Sequence, residues 1–308
     1  MDGQYTLVAS HKDPASLTMA QCLIDDIGFS KDEKDEISLT NKSQELSSLN
    51  CPQKFARMSR NNNKTSNYAN FESYTFKNLR LYLSHDRTLL HMDNLDDLYP
   101  ESDAFVFLSK HSSESERPTL TCHFTGNFSD SNPFGGFPRE IGITYPYLQK
   151  SYIQDITSRK SFVSEYDIII EATHHGPTSL KKPCIFVEIG STQKQWADRR
   201  AAAAVCQSVV TILTRENEGK HCKSVGIAFG GTHYPTRLNK LLLESEFGLA
   251  SIAAKHNLIS IDGLMIRQMI SRSVEKVTHA IVDKKGMGKE KKRILELIEK
   301  ENLKLLEV

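Results

Sequence analysis

The sequence has almost no net charge: 39 Lys and Arg face 38 Asp and Glu over 308 residues, a formal balance of +1. Such a chain has no global field to gather a polyanion, so a nucleic-acid partner must be gripped by a local patch. Nowhere do eighteen apolar residues run together, which excludes a helical membrane span. The opening MDGQYTLVASHKD lacks the basic-then-apolar pattern of a secretion signal. Six cysteines form no C-x-x-C pair, and a chain this long does not need disulfide staples, so reduced thiols in a cytoplasm are expected. There is no H-E-x-x-H, and no G-x-S-x-G frames Ser109 or Ser191. Gly230-Gly231-Thr232 matches neither a dinucleotide fingerprint nor a P-loop. These absences remove helix-borne zincin geometry and leave covalent serine chemistry and nucleotide triphosphate binding without support.

What is present is an alternation of strand and helix patterns. Tyr5–Ser10 is short and β-prone. Asp13-Pro14 then reads as an N-cap and first-turn proline, and Gly28 can end the helix whose apolar face holds Leu17, Ala20, Ile24 and Ile27. From about Ser30 to Ser73 the pattern dissolves into charged and Asn/Ser-rich sequence, which reads as a surface insertion. Leu79, Leu81 and Leu83 alternate, a short apolar run follows at Leu89–Met92, and Ala104–Ser109 is nearly continuous. Similar runs recur at Tyr166–Glu171, Cys184–Glu188, Ser224–Phe229 and His279–Asp283. Continuous runs suit strands covered on both faces. Helical patterns at Tyr147–Ser158, Gln193–Arg215, Thr236–Glu246, Asp262–Arg272 and Lys289–Glu301 lie between or after them, and Thr192 with Gln195 forms a capping box. The expected fold is α/β: a single domain spanning 1–308, with a mostly parallel or mixed sheet flanked by helices and an insertion at about 30–73.

Four of these strands end in polar clusters: Ser109-Lys110-His111, Glu171-Ala172-Thr173-His174-His175-Gly176-Pro177, Glu188-Ile189-Gly190-Ser191-Thr192, and Gly230-Gly231-Thr232-His233-Tyr234. In an open parallel sheet such ends share one cleft. A lone loop histidine is usually a surface or packed residue, but five at or near strand ends, counting His123, form a set. Imidazoles with a carboxylate are what zinc selects, and a catalytic zinc lowers the pKa of bound water to roughly 7, the nucleophile an ester requires. The N–H groups of Gly190–Thr192 either cap the following helix or meet an anion. Lys284, Lys285, Lys289 and Lys292 sit on a solvated helix face or contact RNA phosphates, and the pattern leaves both open.

Taken in order, SKHSS at Ser109, TCHFTGN at Thr121, EATHHGPT at Glu171, EIGST at Glu188 with Trp196, and GGTHY at Gly230 resemble the D-aminoacyl-tRNA deacylase family of archaeal and plant type. The resemblance covers roughly residues 100–283. It implies a fold similar to the peptidyl-tRNA hydrolase/phosphorylase-like one and a zinc-dependent hydrolase, with two Zn²⁺ per subunit, that frees a D-amino acid from tRNA as proofreading. Carried over by position, His111, His174, His175, Glu188 and His233 become metal ligands. Glu171 and His123 become acid/base or orienting groups, and Asn127 steadies the oxyanion or terminal adenosine. Gly190, Ser191, Thr192, Gly230, Gly231 and Tyr234 become substrate contacts, and Lys284, Lys285, Lys289 and Lys292 contacts to tRNA. D-aminoacyl-tRNA is the expected partner, with no DNA and no membrane, and the chain is expected to be a monomer. The alternatives are a peptidyl-tRNA hydrolase-like enzyme on N-blocked aminoacyl-tRNA and a non-catalytic tRNA- or zinc-binding relative. One departure stands out: where the family carries a Gly-His dipeptide, this chain has Gly248-Leu249, with His256 following nearby.

Overall fold

The computed structural model describes residues 3–33, 70–215 and 221–308. The middle of the expected insertion, 34–69, lies outside the described residues. Its two edges are joined, because β2 (Ser30–Lys31) pairs antiparallel with β3 (Phe71–Phe76) through Ser30 opposite Thr75.

Strand β1 (Tyr5–Ser10) lies between β4 (Leu79–Ser84) and β5 (Ala104–Ser112), parallel to both. After β6 (Thr119–His123), the short pair β7 (Gly126–Asn127) and β8 (Glu140–Ile141), β9 (Asp167–Ile170) and β10 (Cys184–Ser191), one eight-stranded sheet is complete. Its order is β2-β3-β4-β1-β5-β10-β6-β9. The chain then builds a second, parallel sheet from β11 (Ser224–Phe229), β12 (Phe247–Ala253), β13 (His279–Val282) and β14 (Lys304–Glu307), in the order β12-β11-β13-β14.

The expected α/β class with a mixed sheet is what the chain forms, but four polar clusters at one parallel edge is not the geometry. β6 runs antiparallel to β10 and β9 follows β6, so half of that region points the other way, and β11 belongs to a different sheet. The reason is local. β6 reads Thr-Leu-Thr-Cys-His, too polar and too short to announce a strand, yet it fills the slot beside β10 and fixes the direction of its neighbour.

The helices Pro14–Cys22, Pro146–Ser158 and Arg199–Thr214 pack on one face of the large sheet, around Val106, Leu108, Val187 and Ile189. That apolar cluster runs on into Leu242, Leu249 and Ile252, so the two sheets are mortared by common contacts. Lys150 reinforces the join: its buried ammonium donates to the carbonyls of Leu242, Ser245 and Phe247, satisfying main-chain acceptors where the helix Thr236–Glu244 ends.

Local signals mostly read true. Asp13 caps its helix through a 2.9 Å bond from Ser16 N, and Gly28 takes the left-handed conformation that ends the turn. Two segments differ from expectation. Leu89–His91 is a 3₁₀ turn rather than a second extended run. The Gln193–Arg215 pattern breaks after Trp196, where Asp198 accepts from Arg200 N and Ala201 N and starts a fresh helix. A competing N-cap inside a helical pattern does this.

Candidate metal and ester-binding site

Period-two alternation puts the site on a face. Registers Phe107↔Phe186, Ser109↔Glu188 and His111↔Gly190 between β5 and β10, then Glu188↔Thr121 and Phe186↔His123 between β10 and β6, align these residues on the same side of the sheet. That side is apolar at one end, where Phe107 stacks on Phe186 at 4.6 Å, and turns polar toward His111, Glu188 and His123. Glu171 follows β9 and enters the same patch. The loop after β11 delivers His233, whose carbonyl accepts from Ala172 N and binds the second sheet to the first. His174 and His175 come from the turn after Ala172. His175 has φ 44°, a left-handed conformation uncommon for a residue with a side chain.

All seven predicted histidines and acids therefore meet. His111 Nδ1 lies 3.1 Å from Glu171 and 3.4 Å from Glu188, and its Nε2 shares a hydrogen bond with the Tyr234 hydroxyl. His233 Nε2 is 2.8 Å from Glu171, His174 Nε2 is 3.6 Å from it, and His123 Nε2 is 3.8 Å from Glu188. Both carboxylates are buried. Burial resists their charge, but the hydrogen bond and nearby imidazoles win: His233 first for Glu171, and His111 then His123 for Glu188, hold them below the ordinary range. Burial likewise opposes protonation of His111 and His123, yet Glu188, with Glu171, raises both. His174 is pushed well down and His175 to about 3, by burial and then by neighbouring imidazoles, so these two rings are neutral at pH 7.

This arrangement suits a cation. His123, His174 and His175 face main-chain carbonyls with Nδ1, at Phe124 (3.1 Å), Ala172 (2.8 Å) and Gly176 (2.7 Å). An Nδ1–H donated there fixes the tautomer and leaves Nε2 as a lone pair. His123 Nε2 and both Glu171 oxygens are buried without a hydrogen-bond partner in good geometry. Ligating atoms fall within 4.8 Å of one another in His123–His174–His175, His111–Glu171–His233 and His123–Glu171–Glu188. Nitrogen and carboxylate donors without thiolate match a borderline-to-hard divalent ion. Cys122, next in sequence to His123, is fully buried, and burial followed by the Glu171 and Glu188 charges lifts its thiol far above its usual range, so it supplies neither thiolate nor nucleophile. Ser109 directs its hydroxyl to the Asp13 carboxylate and the Lys110 carbonyl rather than to an imidazole.

The remaining expected residues take more structural positions. A Cβ on Gly190 would stand 2.8 Å from Thr119 Oγ1 and 2.9 Å from the His111 side chain, so this glycine makes room for the imidazole. Ser191 donates to the Arg117 carbonyl, and the N–H of Thr192 is taken by Gln195, which favours capping over anion binding there. Asn127 donates its amide to the carbonyls of Gly135 and Phe137, pinning the segment that covers the site. Gly230 and Gly231 have φ of 103° and 82°, turning the chain from β11 toward His233. Lys284 pairs with Glu307 and Lys292 stands 3.9 Å from Glu296, while Lys289 lines a cavity beside His233.

Leu249, where the resemblance leads one to expect a histidine, is fully buried in the core within β12, four residues before its carboxyl end at Ala253. His256 lines two cavities beside His233. Lys255, which follows the departure at Leu249 in the sequence, lines one of them, and so do Phe128, Phe134 and Met287, isolated apolar residues that carry no periodic signal.

Comparison with known proteins gives a consistent result. The chain is 41% identical over 206 residues to a D-aminoacyl-tRNA deacylase of Cenarchaeum symbiosum, covering 67% of this chain and 78% of that one. It is 34% identical over 222 residues to a D-aminoacyl-tRNA deacylase of Methanocaldococcus jannaschii, covering 70% and 85%. A crystal structure of a conserved protein of unknown function shares the fold, with a TM-score of 0.80 at 23% identity over 99% of this chain and 95% of that one. The family model described as D-aminoacyl-tRNA deacylase matches residues 98–306, a span holding every histidine and acid of the cluster, and on this evidence the chain belongs to the D-aminoacyl-tRNA deacylase family.

Proposed function

We propose that this chain hydrolyses the ester joining a D-amino acid to the 3′ end of tRNA, using zinc held by the imidazole–carboxylate cluster. The observation that carries the reading is the meeting of five histidines and two buried acids from separate segments, in a chain of this family. His123, His174 and His175 would hold one ion, and His111, Glu171 and His233 a second. When bound, zinc supplies Lewis acidity that polarises a carbonyl and makes water acidic near neutral pH.

The chain's own groups divide the remaining work. Glu188 and Glu171 keep the imidazoles oriented. A Glu171 oxygen not used to hold the ion would accept a proton from the attacking water, and the His111–Tyr234 pair is placed to return one to the departing 3′ oxygen. Water adds to the acyl carbon, the C–O3′ bond breaks, and free D-amino acid and tRNA leave. We further take the chain to work as a monomeric α/β unit in the cytoplasm. Among the described residues no helix is long and apolar enough to cross a membrane.

The test is release of tyrosine from D-tyrosyl-tRNA beside L-tyrosyl-tRNA and N-acetyl-D-tyrosyl-tRNA. Preferential hydrolysis of the free D form is expected. Equal rates on D and L forms, or preference for the blocked substrate, would refute the assignment.

A further inference from the structure

Two cavities open beside the cluster, and His233 and His256 are the residues that line both. One, of about 520 Å³, has Ile259 and Met287 in its wall and Lys255 and Lys289 at exposed positions around it. The other, of about 370 Å³, includes Phe128, Phe134, His174 and His175. An aminoacyl-tRNA ester likewise has two unlike halves on either side of one bond. Resting on the function proposed above, we propose that the larger cavity receives the 3′-terminal nucleotide, with Lys255 and Lys289 on its phosphates. The smaller cavity receives the aminoacyl half, and the ester lies between them at His233 and His256.

Three observations assign the halves. The first is charge. Lys255 and Lys289 have no ion pair among the described residues, in contrast to Lys284, which is committed to Glu307. The one acid in that wall, Glu290, is engaged by Arg293 at 2.8 Å. Two uncommitted ammonium groups beside a cavity suit a phosphodiester, and the other cavity has none. The second is surface character. Ile259 is 66% exposed, a large apolar side chain left to water in the wall of the larger cavity, which a base can cover. The third is access. The smaller cavity is lined by the loop that Asn127 pins through Gly135 and Phe137, and a Cβ on Gly176 would collide with Gly136 at 2.2 Å, so loop and catalytic turn touch. The space left there, about 370 Å³, holds one amino acid side chain. It also places Phe134 where side-chain preference is set.

The experiment separates this from the hydrolase reading by using AMP as a probe of binding alone. AMP titrated into the full-length protein is expected to bind, and the double variant Lys255→Ala/Lys289→Ala to bind about ten-fold more weakly, with a shallower salt dependence. Phe134→Ala and Lys292→Ala should leave AMP affinity unchanged. With D-tyrosyl-tRNA, the double variant should raise KM about ten-fold at unaltered kcat. Phe134→Ala should instead change the ratio of kcat/KM between D-tyrosyl- and D-alanyl-tRNA. AMP binding that ignores the two lysines, or that falls with Phe134→Ala, would overturn the assignment even in an active enzyme. Lysine-dependent AMP binding in a protein with no deacylase activity would uphold the nucleotide site and overturn the hydrolase reading instead.

Discussion

Gly190→Ala probes how the site is built, because it adds one methyl group and removes no functional atom. The new Cβ would sit 2.8 Å from Thr119 Oγ1 and 2.9 Å from both Cβ and Cδ2 of His111, closer than side chains tolerate. Both neighbours are held: Thr119 and His111 lie in strands paired with β10 at this very register. Overpacking of this kind costs about 1–3 kcal/mol. In thermal unfolding that is a fall of a few degrees. The larger effect is expected in the reaction. A shift of the His111 ring disturbs its contacts with Glu171, Glu188 and Tyr234 together, and misplacements approaching 1 Å can cost about 100-fold in rate. The paired control is Gly28→Ala, where nothing lies within 4 Å of the added carbon but φ is 94°. It should cost about 1–2 kcal/mol from backbone strain alone and leave kcat unchanged. Deacylation rates measured beside melting curves decide the matter. Full activity in Gly190→Ala, or an equal loss of activity in Gly28→Ala, would refute the claim that this glycine exists to seat the imidazole.

Other expectations follow from single contacts. Tyr234→Phe removes the hydroxyl hydrogen-bonded to His111 Nε2, a bond worth about 0.5–1.5 kcal/mol net; kcat should drop about ten-fold or less with metal content unchanged, and metal loss would assign the phenol a different part. His174→Ala should lower both bound zinc and turnover, and a variant that kept both would exclude this ring as a ligand. Iodoacetamide applied to the native protein at pH 8 should leave Cys122 unmodified, because its thiol is fully buried and its ionisation is suppressed; peptide mapping that finds it alkylated would contradict the packed geometry behind His123.

The chemistry of the site was more legible than its architecture. Histidines and acids that no core requires stood out in EATHHGPT and GGTHY, and every one of them reached the cluster. Period-two alternation even predicts that Ser109 and His111 share a side, as do Phe186, Glu188 and Gly190. Strand direction was not legible. The polar β6 and the small-residue strand β12, Phe-Gly-Leu-Ala-Ser-Ile-Ala, carry little apolar signal, yet β6 reverses part of the large sheet and β12 forms an edge of the second one. Roles were legible only in part. Gly190 reads in the sequence as a ligand contact and in the fold also leaves space for a ring, and Asn127 reads as an oxyanion donor while its amide donates to loop carbonyls. Such roles depend on what lies across a register or a turn, information that pairwise spacing along one chain does not hold.

The most direct test of the central claim is metal content and D-tyrosyl-tRNA hydrolysis measured on one sample, before chelation, after chelation and after zinc is restored. Zinc and activity are expected to disappear together and return together, with the fold retained throughout. Undiminished hydrolysis by protein shown to be free of metal would contradict that claim.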